Sequence, residues 1–359
     1  MLRIFNNIYT IKLTSIFLLI IICILSYGQD DYFQQQVNTT IEVELDDSNH
    51  FLYAKEKIVY INNSPFEIDS IFFHLWPNAY KNVDTKLAKQ KLEDGDVDLK
   101  YAYKSERGYI DSLDFHVNGE KVHWTFFNDI IDIAVLSLSK TLKPNDSIII
   151  ETPFRVKIPS GRFSRLGHVG QSYQITQWFP KPAVFDNDGW HPMSYLDQGE
   201  FYSEYGNYDV SITVPENYVL MATGDLKNKQ EIDFLKQKAR ETQILINDNK
   251  LPIRDSSGKR DLSFPKSSKR TKTLRFVQKN VHDFGWFADK RYHVLKGSVK
   301  LPKSQKEVTS WALFTNNEAE LWEKSIEYIN DATLYFSEWV GEYPYNHVTA
   351  VDGTISAGG

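Results

Sequence analysis

The stretch QITQWFPKPAVFDNDGWHPMSYLDQGEFYSEYGNYDVSITVPENYVLMATG, residues Gln174 to Gly224, decides how the rest of the chain is read. Trp178, Phe179, Phe185, Trp190, Tyr195, Phe201, Tyr202, Tyr205 and Tyr208 crowd into its first two thirds, punctuated by Pro180, Pro182 and Pro192. The prolines remove backbone donors and rule out a long helix. The aromatic content is wrong for a disordered linker. A packed, irregular segment is the consequence. Beyond it, Val210, Ile212 and Val214 alternate with Asp209, Ser211 and Thr213, the pattern of a half-buried strand stopped by Pro215. The turn at Pro215-Glu216-Asn217 and the apolar run Val219–Ala222, closed by Gly224, predict a hairpin.

Upstream the same alternation recurs. Val37, Thr39, Ile41, Val43 and Leu45 mark one strand, Asp46–Asn49 a turn, and Phe51–Ile61 a second, antiparallel strand. Ser70–Trp76 is apolar on both faces, as a central strand requires. A short helix is predicted near Thr85–Leu92. Leu113–Val117 and Val122–Phe126 flank Asn118-Gly119, a dipeptide that tolerates positive φ and closes tight hairpins. Ile130–Leu136 and Ile148–Ile158 complete an almost uninterrupted antiparallel β domain.

Two regions depart from that pattern. Leu226–Lys279 carries fifteen Lys or Arg against six Asp or Glu, a local charge of +9 in a chain whose net charge is −6. Strand-like runs at Gln243–Ile246 and Leu274–Val277 suggest a solvated inserted hairpin with a mobile tip around Arg254–Lys272. From Thr315 the spacing changes to three- and four-residue steps. Thr315 and Glu318 form a potential capping box, and Leu321, Trp322, Ile326, Ile329, Phe336 and Val340 mark the apolar face of a helix of about 25 residues. Gly341 and Pro344 end it, and His347–Val351 reads as a strand.

The first 28 residues have the layout of a signal peptide. Arg3 and Lys12 precede the apolar run Ile16–Leu25, and Ser26-Tyr27-Gly28 offers a small-residue cleavage site before Gln29. Secretion or a periplasmic location is expected, with no stable membrane insertion after cleavage; an uncleaved anchor is the alternative. Cys23 is the only cysteine, so the mature chain would have neither disulfides nor thiolate chemistry. An acidic net charge does not suit nucleic acid. The nine histidines (50, 74, 116, 123, 168, 191, 282, 293 and 347) include no pair four residues apart, so no HExxH helix is present. Nor is there a GxSxG, a P-loop or a GxGxxG. Gly161–His168 (GRFSRLGH) could bind an anion but reads better as a surface loop. Residues alone therefore support a secreted, mainly β module joined to the start of an α-helical or α/β unit.

Several short runs, in order, carry a resemblance: Phe73–Tyr80 (FHLWPNAY), Gln174–Gly189, Gly189-Trp190-His191-Pro192, Tyr208-Asp209-Val210 with Thr213-Val214-Pro215, Ala222-Thr223-Gly224, Asp283-Phe284-Gly285-Trp286 and Gly341–Tyr345 (GEYPY). Together they resemble bacterial members of the aminopeptidase N family, the gluzincin zinc metallopeptidases. That resemblance implies a saddle-like antiparallel β N-terminal domain (29–301, with 226–279 as a basic insert) followed by the beginning of an α+β, thermolysin-like catalytic domain (302–359). Ser356–Gly359 resembles the opening of the family's Gly-x-Met-Glu strand, with Gly358 and Gly359 as its substrate-binding glycines. The Met-Glu, the zinc ligands and the catalytic groups would follow residue 359. The resemblance thus implies zinc in a full-length parent, a peptide substrate, and no catalytic residue, no metal site and no hydrolysis in residues 1–359. It also implies a glutamine or glutamate on the β domain that helps to hold the substrate's α-amino group. Gln174 and Gln171 are the candidates. A non-catalytic β module that binds a peptide, a glycan or a partner protein is the alternative function.

Overall fold

The computed structural model describes residues 32–199 and 201–353. The signal-peptide reading, Gly358 and Gly359 lie outside them. The described chain is mainly β, as expected, in several sheets and with few helices. Its strands and helices used below are β1 (Gln36–Asp46), β2 (Phe51–Ile61), β3 (Ile68–His74), α1 (Lys86–Glu93), β4 (Ile130–Leu142), β5 (Ser147–Lys157), β6 (Gly167–Val169), β7 (Ser172–Ile175), β8 (Gly206–Pro215), β9 (Val219–Ala222), α2 (Lys229–Asn247), β10 (Thr271–Val281), β11 (Trp286–Asp289), β12 (His293–Lys300), β13 (Glu307–Phe314), α3 (Ala319–Trp322), α4 (Ser325–Trp339) and β14 (His347–Val351).

A nine-stranded sheet forms the frame, with β10, β8, β1, β2 and β5 as consecutive neighbours. Strict alternation of buried and exposed residues along β1, β2 and β5 gives it one dry face and one wet face. Asn118 and Gly119 both take positive φ, 51° and 84°, so the Asn-Gly hairpin forms where it was predicted. Thr85 caps α1 by accepting from Ala88 N. A four-stranded sheet places β3 between Lys181–Pro182 and β4, which confirms β3 as an inner strand. A second four-stranded sheet runs β6, β7, β11, β9, and a three-stranded sheet runs β12, β13, β14.

Four expectations change. β8 and β9 do not form a hairpin: β8 is already paired on both edges, parallel to β1 and antiparallel to β10, so the chain after Pro215 crosses to the other sheet and β9 pairs with β11. The supposed strand at Gln243–Ile246 is the end of α2, whose buried residues Leu235, Ala239 and Thr242 recur at helical spacing against β12 and β13. The tip around Arg254–Lys272 is tied down: Asn316 bonds the backbone of Ile253 and Asp261, and Arg291 stacks 3.6 Å from the Phe264 ring. The long helix is broken into α3 and α4 and begins only at Ala319, while Thr315 donates its amide and hydroxyl to Asp352, just past β14. In addition, Gly161–His168 is no loose surface loop, for Phe163, Ser164 and Leu166 are buried.

The core beneath the large sheet is aromatic, with Trp178, Trp286, Tyr60 and Phe154 all inaccessible. Glu56 projects into it from β2, and neither of its carboxyl oxygens has a hydrogen-bond partner among the described residues. Burial pushes its pKa well above the ordinary value of 4.5. The folded chain therefore holds a proton that the unfolded chain releases, so this site's contribution to stability is complete below pH 4.5 and declines as the pH rises toward the folded-state value. Replacing Glu56→Met is expected to raise stability at neutral pH by about 1–3 kcal/mol and to flatten its decline above about pH 5. Urea unfolding at several pH values measures both.

Candidate functional site

The short strand β7 positions the first candidate. In Tyr173-Gln174-Ile175, Tyr173 and Ile175 point into the core, which turns Gln174 and, one step on, Thr176 to the opposite face. Both edges of β7 are occupied, with Gln174 facing Gly167 of β6 and Phe287 of β11. Gln174 Nε2 donates to the carbonyl of Arg165 at 3.1 Å, and Thr176 Oγ1 donates to the same oxygen at 2.9 Å. That anchors the amide and turns its Oε1 toward Gly353. A methyl group on Gly353 would lie 2.7 Å from Oε1.

Gly353 reaches that point because of β14. This strand pairs in parallel with β13 from Thr309 to Leu313, and Asp352 then closes the end, its amide donating to Leu313 O at 2.7 Å and its carboxylate accepting from Thr315. Three side-chain bonds hold the same segment to the β domain. Tyr345 Oη donates to Asn280 O at 2.8 Å, His347 Nε2 donates to Gly224 O at 2.7 Å, and Asn346 donates to Asp225 at 2.9 Å. Between this segment and the β7–β11–β9 sheet lies a cavity of about 400 Å³. Thr176, Met221, Ala222, Phe287, Tyr343 and Val351 contribute to its walls. Gln174 and Gly353 thus meet two residues along their strands from the cavity-wall residues Thr176 and Val351.

Gln171 is placed elsewhere. It follows the turn residue Gly170 and its amide is engaged at both ends: Nε2 donates to Asp47 Oδ2 at 3.0 Å and to Asp47 O at 3.2 Å, while Oε1 accepts from Lys290 Nζ at 2.5 Å. Tyr218 and Ser267 also donate to Asp47 Oδ2. Beside this network His50 and His168 stack with ring centroids 3.6 Å apart. Burial first and the neighbouring His50 second hold His168 down to about pKa 4, against the Gly170 carbonyl and with a smaller contribution from Lys157. Both rings are neutral at physiological pH, and the network serves as a polar clamp between the β1–β2 turn, β7 and the basic segment.

No family profile matches the sequence, and no curated protein matches it. Solved structures do resemble the fold. A mutant of the M1 zinc metallopeptidase from Deinococcus radiodurans superposes with a TM-score of 0.50 at 12% identity, over 90% of this chain and 57% of that one. The fold is that of the M1 zinc metallopeptidases. The same mutant bound to a Tyr-Ser-Ala substrate gives 0.50 at 11% identity, over 89% and 56%. Aminopeptidase A from Legionella pneumophila in complex with aspartic acid gives 0.49 at 10% identity, over 90% and 29%. The chain spans little more than half the length of the Deinococcus protein.

A zinc ion does not fit the described residues, which bring no three His, Cys, Asp or Glu side chains together. The one histidine in the cavity wall, His347, is committed to the Gly224 carbonyl. Among the described residues no helix is long and apolar enough to cross a membrane. Sequence reading proposed Gln174 and gave no signal for Gly353, Thr176 or the cavity beyond the Asp352-Gly353 turn. Gly353 is outside the left-handed region, so Gly353→Ala carries no backbone penalty. The added methyl is expected to push the Gln174 amide aside, seen as a shift of its side-chain NMR resonance, with stability changed by less than about 1 kcal/mol.

Proposed function

We propose that this chain is the N-terminal portion of a secreted or periplasmic, zinc-dependent aminopeptidase-like metallopeptidase, and that its own contribution is one wall of a peptide-binding cleft. The observation that carries the reading is Gln174: its nitrogen is tied to Arg165 O, and its carbonyl oxygen, without a hydrogen-bond partner among the described residues, lies against Gly353. An amide oxygen held in this way accepts hydrogen bonds from an ammonium group, as the α-amino end of a peptide requires. Gln171, spent on Asp47 and Lys290, is left out of the role. Zinc and the groups that activate water belong to the polypeptide of the longer parent, beyond residue 359, and Gly358 and Gly359 would lead into its substrate-binding strand.

The test is to express the reading frame with its downstream codons and to compare it with residues 1–359. The extended protein is expected to bind about one zinc ion per chain and to cleave aminoacyl anilides. Residues 1–359 should do neither. In the extended protein Gln174→Ala should raise KM for a free-amine substrate about tenfold or more, in line with one lost hydrogen bond to a charged group. Full activity and zinc loading in residues 1–359 would overturn the proposal, as would an unchanged KM. A β module that only binds a peptide, glycan or partner would instead retain its binding with the downstream codons absent and with Gln174 replaced.

A further inference from the structure

We infer that the stacked pair of His50 and His168 is an acid-sensitive latch, which holds the β6–β7 hairpin against the β1–β2 turn and releases it when the pair takes up protons. His50 immediately precedes β2, in the left-handed region with φ 58°, and His168 is the middle residue of β6. The two belong to different sheets, and their half-buried rings lie 3.6 Å apart and within 14° of parallel. Each ring is also anchored on one side. His168 Nδ1 donates to Gly170 O at 3.0 Å, and His50 Nδ1 meets Tyr173 Oη at 2.9 Å. The backbone joins at the same corner, where Ile158 donates to His50 O at 2.9 Å, Gly161 to His168 O at 2.8 Å and His168 to Pro159 O at 3.0 Å.

The charges around the stack make a proton unwelcome. From β5, Lys157 acts on both rings, and its Nζ is fixed by donating to Asn49 O at 2.8 Å. On the turn side stand Asp46 and Asp47, with Tyr173 on β7 and with Tyr218 and Lys290 behind Asp47. Asp46 accepts from the amides of Ser48 and Asn49, and Asp47 from Gln171, Tyr218 and Ser267, so among the described residues neither carboxylate bonds a ring. Burial and then Lys157 lower the pKa of His50, against Asp47 and Asp46, while that of His168 is about 4. A second proton would also set two like charges on rings 3.6 Å apart. The closed pair therefore binds fewer protons than an open one, in which each ring regains the ordinary value of 6.5. Closure is favoured in full above pH 6.5 and is lost as the pH falls toward 4. Since β7 carries Gln174 opposite Gly167 of β6, the latch couples acidity to the strand on which that amide sits, whatever chemistry a longer parent performs.

The experiment is hydrogen exchange of residues 1–359 at about pH 6.5 and about pH 4.5, read by mass spectrometry and corrected for the intrinsic exchange rate. For His168 alone, a value of 6.5 when open and about 4 when closed raises the opening constant about thirtyfold over that interval. The segment 158–169 is expected to lose protection by about that factor, and the middle of β2 by less than about threefold. His168→Phe keeps an aromatic face for His50 but takes no proton, and should reduce the loss in 158–169 to less than about fivefold. Circular dichroism at the higher pH checks the fold of the variant, and NMR titration of the histidine rings in the unmodified protein needs no variant at all. Equal protection at the two pH values, an undiminished loss in His168→Phe, a loss as large in β2 as in 158–169, or a His168 ring that titrates near 6.5 would each overturn the latch.

Discussion

Everything in this molecule depends on the parallel pairing of β1 with β8. The strands meet in register from Thr39 opposite Tyr208 to Glu44 opposite Thr213, and Asn207 Nδ2 donates to Asn38 Oδ1 across 169 residues of sequence. The contact is close enough that a side chain at Gly206 would collide with the backbone, since its first carbon would fall 1.6 Å from Val37 O. Closing so long a loop is entropically unfavourable, and the compensation is a continuous sheet from β5 through β2, β1 and β8 to β10. Because both edges of β8 are occupied, the next strand cannot fold back on it. β9 is sent to the second sheet, where it pairs with β11, and β11 in turn holds β7 and Gln174. The cleft is thus a distant result of a pairing that has no catalytic content.

Local rules account for what could be read from sequence. Alternation in β1, β2 and β5 encodes which face is dry, and the Asn118-Gly119 turn encodes its own geometry, so both were legible. Partner choice was not. Nothing in Val219–Ala222 says that β9 leaves β8, because its four residues are buried on both faces and offer no period. The basic segment misled for a related reason: Lys and Arg between Leu235, Ala239 and Thr242 dilute the helical stripe, and the apolar Ile244–Ile246 run at the helix end imitates a strand. Gln171 and Gln174 illustrate the limit at a single residue. Three positions apart, one in the turn and one in β7, they meet different partners, the Asp47–Lys290 clamp for one and Gly353 for the other.

Part of the basic segment is engaged in ion pairs within the protein. Of the basic residues between Leu226 and Lys279, Lys272 pairs with Glu231, Arg275 with Asp209, Arg270 with Glu216 and Arg260 with Glu320. The last three pairs are exposed and contribute little individually, whereas the Lys272–Glu231 pair is largely buried. Their distribution matters more than their sum: they run from the large sheet to the start of α3, with the buried Asp47 clamp and the Asn316 bonds between them. The segment therefore acts as a strap that holds the three-stranded sheet against the β domain, and so fixes the separation of β14 from β7.

The aromatic residues divide into two populations that composition cannot distinguish. Trp178 and Trp286 are fully buried and cross at 89° with centroids 6.3 Å apart, part of the core that locks the Gln174–Gly224 stretch in place. Trp339 is 78% exposed, with Phe336 and Val340 exposed beside it. The cause lies in the architecture around α4. Its inner face packs Ile326, Ile329 and Leu334 on β12 and β13, but the three-stranded sheet offers one helix only one side to cover. A helix with apolar residues on both sides needs a second layer. Contiguous exposed apolar area of this kind marks either an interface or an aggregation liability. The outer face of α4 lies apart from the cavity residues on β7, β9, β11 and β14, so substitutions there change the exposed apolar area without touching the cavity wall.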